Sequence, residues 1–425
     1  MKGSILKYAK NLTTYFGASI IPMLLGLVTN PLIASNMSPE DYAITGYYTS
    51  FNSLLQPIIV FYMVHYFIKE FYRRNEQERA YLFALIAKAL IWFSGAISIL
   101  CFIGVLIYVK YIAADLSIPI SPYLAMAVFS LPFCGLYNLV QARHRIDRKA
   151  SSFFRLTLIS GVLGVALNVL FVVIIKWGAF GKLVAPLITN ISIFSFLLIK
   201  YKKEIFTKTR NRDIIAILNF CWPLALSATL GYFTTGFDKT YLESIGNNTT
   251  YGYYIVGASI AMYLNTFSTA IGNTFTPDLY QSVIQKNWSG YAKFIMLDIG
   301  LIILIVLLFI ILAPYIIDIL TAGRYLESTP FAKILALSTI TSSIYYIINN
   351  YSITTNRPKL YLYTSISGSV MIVTLMPVMV NNFDYYGGAW MSVLSFASFS
   401  IINLALIYFS FLWRKKTSIA DHSNI

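Results

Sequence analysis

Twelve stretches of this 425-residue chain are each apolar over the length needed to cross a lipid hydrocarbon core. That feature limits the fold more than any other, because without water every peptide group must find its hydrogen bond inside its own segment, and a helix does so. Hydrophobic residues make up 57% of the sequence and charged residues 12%, which is what such a run of segments requires. The expected spans are 12–34, 44–66, 80–109, 119–141, 154–176, 180–199, 214–236, 252–275, 294–318, 331–349, 360–380 and 388–412, and no stretch is left for a soluble domain. The fold class expected is an all-α polytopic membrane protein of twelve transmembrane helices.

Charge sets the orientation. Of 32 Lys and Arg residues, 25 fall on one set of alternating loops, 6 on the other, and Lys88 lies inside a segment. Basic residues near span ends stay on the cytoplasmic side, so both termini are expected there, with Lys2, Lys7 and Lys10 at one and Arg414, Lys415 and Lys416 at the other. The same side holds Lys69, Arg73, Arg74 and Arg79, then Arg143, Arg145, Arg148, Lys149 and Arg155, and later Arg357 and Lys359. The opposite loops carry Glu40, Asp41, Asp115, Asp238, Glu243, Glu327 and Asp384. A net charge of +15 would suggest nucleic acid in a soluble chain; here the cations sit where anionic inner-leaflet lipids attract them, and nucleic-acid binding is not expected. The start MKGSILKYAKNLTTYF has no cleavage pattern, so the first span is expected to remain as a signal anchor.

The longest basic, polar run, KYKKEIFTKTRNRD at 200–213, divides six spans from six. The expected domains are an N-terminal bundle over 1–200, a basic cytoplasmic linker over 201–213 and a C-terminal bundle over 214–425. A short echo fits a duplicated architecture: Asp41-Tyr42-Ala43 opens span 2, and Thr250-Tyr251-Gly252 opens span 8 at an offset of 209 residues. Transporters are often built from such repeats, with the substrate site at their interface. Cys101, Cys134 and Cys221 are scattered through spans, and His65, His144 and His422 are isolated, so neither a metal set nor a Ser/His/Asp constellation assembles.

Polar residues inside spans mark either helix packing or a wet cavity. In span 8, Ser259, Tyr263, Thr266, Asn273 and Thr274 fall on one helical face; in span 10, Ser338, Ser342, Tyr345, Tyr346 and Asn349 do. Span 2 aligns Thr45, Thr49, Asn52, Ser53 and Gln56, and span 1 aligns Asn11, Tyr15 and Thr29 around Pro22. A stripe of that length exceeds what one close helix contact uses, which favours a hydrated cavity. Cations near it, Lys239 beside Asp238, Lys88 in span 3, and Arg324 and Lys333 before span 10, suit a phosphate; the alternatives are a local Asp238-Lys239 pair and snorkelling to an interface. Asp238, Asp298 and Asp318 are the carboxylates placed for coupling to protons or sodium, unless they reach water at helix ends. Tyr263 and Tyr345 could stack on sugar rings, or serve packing.

Two blocks carry a family resemblance. NPLIASNMSPEDYA at 30–43 resembles the leucine-ser-pro-glu-glu-tyr-gly signature that follows the first helix of polysaccharide exporters, with Ala43 where Gly is usual and Met37 in place of a Leu. NFCWPLALSATLGYFTTGFDKTYLESIGNNTTYGYYIV at 219–256 is similar to that family's seventh and eighth helices, through Pro223, Asp238, Lys239, Gly252 and Tyr254. The chain thus resembles the Wzx-type, O-antigen branch of the MOP exporter superfamily.

The resemblance implies two six-helix bundles around a V-shaped central cavity. It further implies a bacterial inner-membrane flippase that moves undecaprenyl-pyrophosphate-linked oligosaccharide to the periplasmic leaflet, in company with membrane lipids and the glycan polymerase machinery. The expected ligand set is Lys239, Lys88, Arg324, Asn52, Gln56, Tyr263, Thr266, Asn273, Ser342, Tyr345 and Asn349. No cofactor is expected beyond a coupling proton or sodium, and no GxxxxGK[ST] loop occurs. The competing readings are a cation-coupled multidrug exporter, whose cavity would favour acids, and an enzyme such as a membrane glycosyltransferase or O-antigen polymerase. The latter usually needs a large outer loop, and the largest here, 237–251, has about 15 residues.

Overall fold

The computed structural model describes residues 24–71, 74–112, 117–147, 149–210, 212–354 and 358–422. The first half of span 1 lies outside them, and with it the anchor expectation, Lys2, Lys7, Lys10, Asn11, Tyr15 and Pro22, as do Arg73, Asp115, Arg148 and Arg357. The side chains of Asn273, Thr274, Lys359, Arg414, Lys415 and Lys416 also fall outside.

Among the described residues the chain is helical and contains no strand. The helices are α1 (Leu24–Ser35), α2 (Pro39–Val60), α3 (Met63–Phe71), α4 (Glu76–Ile107), α5 (Tyr123–Ile146), α6 (Ala150–Asn168) and α7 (Gly178–Ile205). They continue as α8 (Arg212–Leu230), α9 (Tyr232–Thr235), α10 (Phe237–Leu242), α11 (Asn248–Ile284), α12 (Trp288–Thr321), α13 (Thr329–Thr354) and α14 (Pro358–His422). Local chemistry sets several of these boundaries. Ser38 and Asp41 form a capping box behind Pro39 at the start of α2, and Asn75 and Glu78 form another at α4. Pro57 deprives α2 of a hydrogen bond near its end; Phe61 and Tyr62 follow at φ 52° and 54°, and α3 departs at 49°.

Eight helices among the described residues are long and apolar enough to cross a membrane, nine when the bent α2–α3 pair counts as one span. This is a multi-pass membrane protein. The other expected spans also have helices at their places. α1 is described only from Leu24, and α11 has ample length at 37 residues but is diluted by its Tyr, Thr, Ser and Asn. α14 is 65 residues of helix broken at Asp384 (φ 48°, ψ −134°), so its two arms supply the eleventh and twelfth spans.

Contacts divide the chain into two units: 1–229 with 319–324, and 230–318 with 325–425. The first therefore takes in α8 as well as the tip of α12. Its core joins Met63 and Phe67 of α3, Leu82, Phe83 and Ile86 of α4, Leu136 and Val140 of α5, Ile193 and Leu197 of α7, and Cys221 of α8. The tip of α12 is held by reciprocal capping: Asn30 Nδ2 donates to Leu320 O at 2.8 Å, and Arg324 Nη1 donates to Ser35 O and, at 3.4 Å, to Ala34 O. Each group thus satisfies a last-turn carbonyl of the other helix.

In the second unit polar side chains join the helices, as expected where lipid removes most of the hydrophobic drive to pack. Ser268 of α11 and Ser343 of α13 share a 2.7 Å hydrogen bond, Thr339 Oγ1 donates to Asn265 Oδ1 at 3.3 Å, and Ser352 Oγ to Asn403 Oδ1 at 3.3 Å.

Candidate functional site

The two motif blocks build comparable joints, one in each unit. In the first, Asp41 Oδ2 accepts the Ser38 N–H at 2.9 Å, while Oδ1 accepts the Ala179 N–H at 2.8 Å. One carboxylate therefore caps the starts of α2 and α7, where helix dipoles favour negative charge. Gly178 makes room: its φ is +51°, and a Cβ there would lie 2.5 Å from Asp41 Oδ1.

At an offset of 209 residues the second unit repeats the plan with different groups. Asn247 stands where Ser38 stood, and its Oδ1 accepts the Thr250 N–H at 3.1 Å. Tyr385 Oη accepts from Asn247 N at 3.2 Å and donates to Asn247 O at 3.0 Å, tying the start of α11 to the second arm of α14. Gly387 matches Gly178 in register, and a Cβ on it would run into the Met379 carbonyl across the bend.

Beside this second joint lies a buried carboxylate. Asp238, in α10, is 6% exposed and its Oδ2 accepts the Tyr254 hydroxyl of α11. Its Oδ1 stands 3.8 Å from Lys239 Nζ. Tyr251 Oη donates to Lys239 O at 2.8 Å, so two tyrosines one turn apart on α11 grip α10. Lys239 Nζ donates to Thr235 O at 2.8 Å and its side chain keeps 24% exposure. An ammonium has three donors, so this one can still receive an anion while the Asp238 carboxylate holds it in place.

The remaining expected ligands belong to both units, Lys88, Arg324, Asn52 and Gln56 to the first and the others to the second. Lys88 is bound to the loop between α7 and α8, donating to Thr207 O and, at 3.0 Å, to Thr209 Oγ1. Arg324 is exposed and donates to the last carbonyls of α1. Asn52 and Asn349 are half-buried, each with an Oδ1 that is enclosed and without a hydrogen-bond partner among the described residues. Gln56 and Thr266 are exposed and Tyr263 is half-buried. Ser342 is buried and donates to Thr339 O at 3.1 Å; Tyr345 is 5% exposed, its ring 5.6 Å from that of Phe399. Asp318 is exposed, whereas Asp298 is 2% exposed.

The hydroxyl stripes are largely satisfied within their own helices. Thr45, Thr49 and Ser53 in α2, Ser259 in α11, and Ser338 and Ser342 in α13 all donate to carbonyls three or four residues back.

Two features escape the sequence reading. Asp41 reads as an outer-loop acid because nothing local reveals that it reaches Ala179, 138 residues away. Lys182 reads as one of the outer-end cations, yet it sits in the second turn of α7, half-buried and without a hydrogen-bond or ion-pair partner among the described residues. A lysine inside a segment that must cross the membrane is the signal that could have found it.

Comparison with known proteins gives a consistent setting. Residues 8–282 match the family described as "Polysaccharide biosynthesis protein". A protein of the Lsg locus of Haemophilus influenzae, its protein 1, is 20% identical, with 88% of this chain and 98% of that protein covered. Among solved structures, "Lipid II flippase MurJ, inward closed conformation" superposes with a TM-score of 0.74 at 14% identity, covering 94% of this chain and 87% of that one. The inward-facing structure of a multidrug resistance MATE family transporter of the MOP superfamily gives 0.68 at 13% identity, covering 98% and 100%. The fold is thus that of MOP-superfamily transporters.

Proposed function

Because this chain belongs to the polysaccharide biosynthesis protein family, we propose that it is a lipid-linked oligosaccharide flippase of the bacterial inner membrane, with both termini cytoplasmic. It moves undecaprenyl-pyrophosphate-linked repeat units from the cytoplasmic to the periplasmic leaflet by alternating access, delivering them to the polymerase that extends the glycan. The family match over 8–282 carries this reading, since the fold is equally that of MATE multidrug transporters. The likeness to the lipid II flippase structure is one of fold and is compatible with it.

The cargo explains why a protein is needed. An isoprenoid tail is at home in lipid, whereas a pyrophosphate and a hydroxylated glycan cannot enter hydrocarbon without a large desolvation cost. In this reading Lys239, steadied by Asp238, meets the pyrophosphate as a point charge. Asn52, Gln56, Tyr263, Thr266, Asn273, Ser342, Tyr345 and Asn349 offer groups for the sugars, with Lys88 and Arg324 as further cations. An inside-negative potential favours outward movement of an anion by about 2.3 kcal/mol per charge per 100 mV. The reading needs no covalent chemistry. It is tested by Lys239→Ala: surface glycan is lost at unchanged protein level, and normal glycan in that variant removes Lys239 from the mechanism.

A further inference from the structure

A charged cavity of the first unit takes no part in the export mechanism. Its volume is about 600 Å³, and it is lined by Arg74, Glu78 and Tyr81 around the start of α4 and by Arg210 and Asp213 around the start of α8. That volume falls within the range of about 300–1,000 Å³ of small-molecule sites. Glu78 and Arg210 are exposed and the other three are half-buried, so the cavity opens outward. Directly beyond Tyr81, α4 continues as Leu82, Phe83, Ala84 and Leu85; directly beyond Asp213, α8 continues as Ile214, Ile215, Ala216 and Ile217. Both helices are long and apolar enough to cross a membrane, so charged groups at these two ends sit at the depth of lipid head groups. Ile215, two residues from Asp213, is 60% exposed, and surface suited to acyl chains therefore begins at the edge of the cavity.

Two guanidinium groups and two carboxylates line this cavity, yet no ion pair joins either arginine to Glu78 or Asp213. Each group is held by something else. Glu78 Oε2 accepts the Asn75 N–H at 3.2 Å in the capping box of α4. Asp213 Oδ2 accepts the Tyr81 hydroxyl at 2.6 Å, and Tyr81 Oη in turn accepts the Arg210 N–H at 2.9 Å. Arg74 Nε lies 3.8 Å from Glu70 Oε2, one turn back. Glu78 Oε1, Asp213 Oδ1 and the Arg210 guanidinium are left without a partner among the described residues. The cavity thus presents donors and acceptors of opposite charge, fixed from behind and open in front.

We propose that this cavity seats the head group of phosphatidylethanolamine. The phosphodiester accepts from the Arg210 and Arg74 guanidinium groups, and the primary ammonium, two carbons away, donates to the Glu78 and Asp213 carboxylates. A guanidinium fork suits phosphate oxygens, and an ammonium brings three donors for the carboxylate oxygens that are still open. The balance of charge selects among head groups. A phosphatidylglycerol head group satisfies the arginines but leaves two carboxylates facing a phosphate. A choline head group has the positive charge but no N–H to give them. Once seated, the ethanolamine head group ties the α3–α4 connection to the α7–α8 loop, whatever cargo the chain moves. A free phosphoethanolamine ester presents the same chemistry, and the test separates the two sources.

The test uses the purified full chain in nanodiscs of phosphatidylcholine, in which a rising share is replaced by phosphatidylethanolamine or by phosphatidylglycerol. It reads the unfolding midpoint and the lipid retained in native mass spectrometry. Soluble phosphoethanolamine, phosphocholine and inorganic phosphate are added to phosphatidylcholine discs in parallel. Phosphatidylethanolamine should raise the midpoint saturably and be retained in preference to the other two lipids, and the soluble ester should reproduce the rise only at far higher concentration. Arg210→Gln and Glu78→Gln should each weaken that retention about tenfold, the loss expected for one charge-assisted hydrogen bond; the glutamine at 78 keeps an amide oxygen for the Asn75 cap. Lys208→Gln, an exposed neighbour that does not line the cavity, should bind as the wild type. A change in bulk bilayer properties would act on all three variants alike, so an undiminished response in both Arg210→Gln and Glu78→Gln overturns the proposal. So does equal retention of phosphatidylethanolamine and phosphatidylglycerol, and a rise with the soluble ester but not with the lipid overturns the lipid assignment.

Discussion

Asp41 and Ala179 stand 138 residues apart in sequence and are joined by a 2.8 Å hydrogen bond from the Ala179 N–H to the Asp41 carboxylate. With its other oxygen on Ser38 N, the aspartate of the SPEDYA motif closes two helix starts at once. Asp41→Ala should cost about 1 kcal/mol for each cap lost, seen as a lower unfolding midpoint of the detergent-solubilised protein. Gly178→Ala should destabilise by a comparable or larger amount, because it adds a clash to an unfavourable φ. If both variants unfold with the wild type, the joint is not holding α2 to α7.

Tyr254→Phe removes the donor from a buried carboxylate and leaves Asp238 with Lys239 alone. The expected loss is about 1–3 kcal/mol. Asp238→Asn made in the Tyr254→Phe background should cost less than it does in the wild type, since the two share one interaction. Strict additivity in a denaturation cycle would show that the hydroxyl and the carboxylate act independently.

Lys88 fastens the loop between α7 and α8 through Thr207 and Thr209, and Tyr81 Oη adds hydrogen bonds to Asp213 Oδ2 at 2.6 Å and from Arg210 N at 2.9 Å. Lys88→Met should free that loop, and trypsin should then cut at Lys208 and Arg210 several-fold faster in membranes opened to expose this loop. Unchanged cutting would mean that Tyr81 alone fixes the segment.

Much of the helical plan was readable because apolar length is a local property; the break after Pro57, inside the span expected at 44–66, and the caps at Ser38 and Asn75 are equally local but are invisible to a measure of apolar length alone. The joints were not readable for the opposite reason. Asp41 and Tyr385 act on backbone groups that no short-range pattern identifies, although the paired glycines at 178 and 387, one repeat apart, mark where those groups approach. The hydroxyl stripes misled differently. Serine and threonine facing one way suggest water, yet Thr49, Ser259 and Ser338 return their protons to their own helices and can face any environment. Asp298 was the reverse case: sequence left it able to reach water from a helix end, while the four-residue rhythm through Ile302 and Val306 already placed it on the packed face.

Lys239 and Arg324 differ in what their hydrogen bonds hold. Arg324 uses Nη1 on the carbonyls of Ser35 and Ala34 at the end of α1, so Arg324→Ala should lower stability as well as export. Lys239, with one carbonyl and a carboxylate 3.8 Å away, should lose export with little change in unfolding midpoint. Lys239→Arg should restore part of the export. Equal stability losses for Lys239→Ala and Arg324→Ala would make Lys239 structural.

The most direct measurement is the leaflet position of the lipid-linked glycan in spheroplasts, read by an impermeant glycan-modifying enzyme added from outside. With this chain present the repeat unit on its undecaprenyl carrier should be open to the enzyme; without it, or with Lys239→Ala, the same lipid should accumulate in a protected form. Equal exposure with and without the chain would contradict the account.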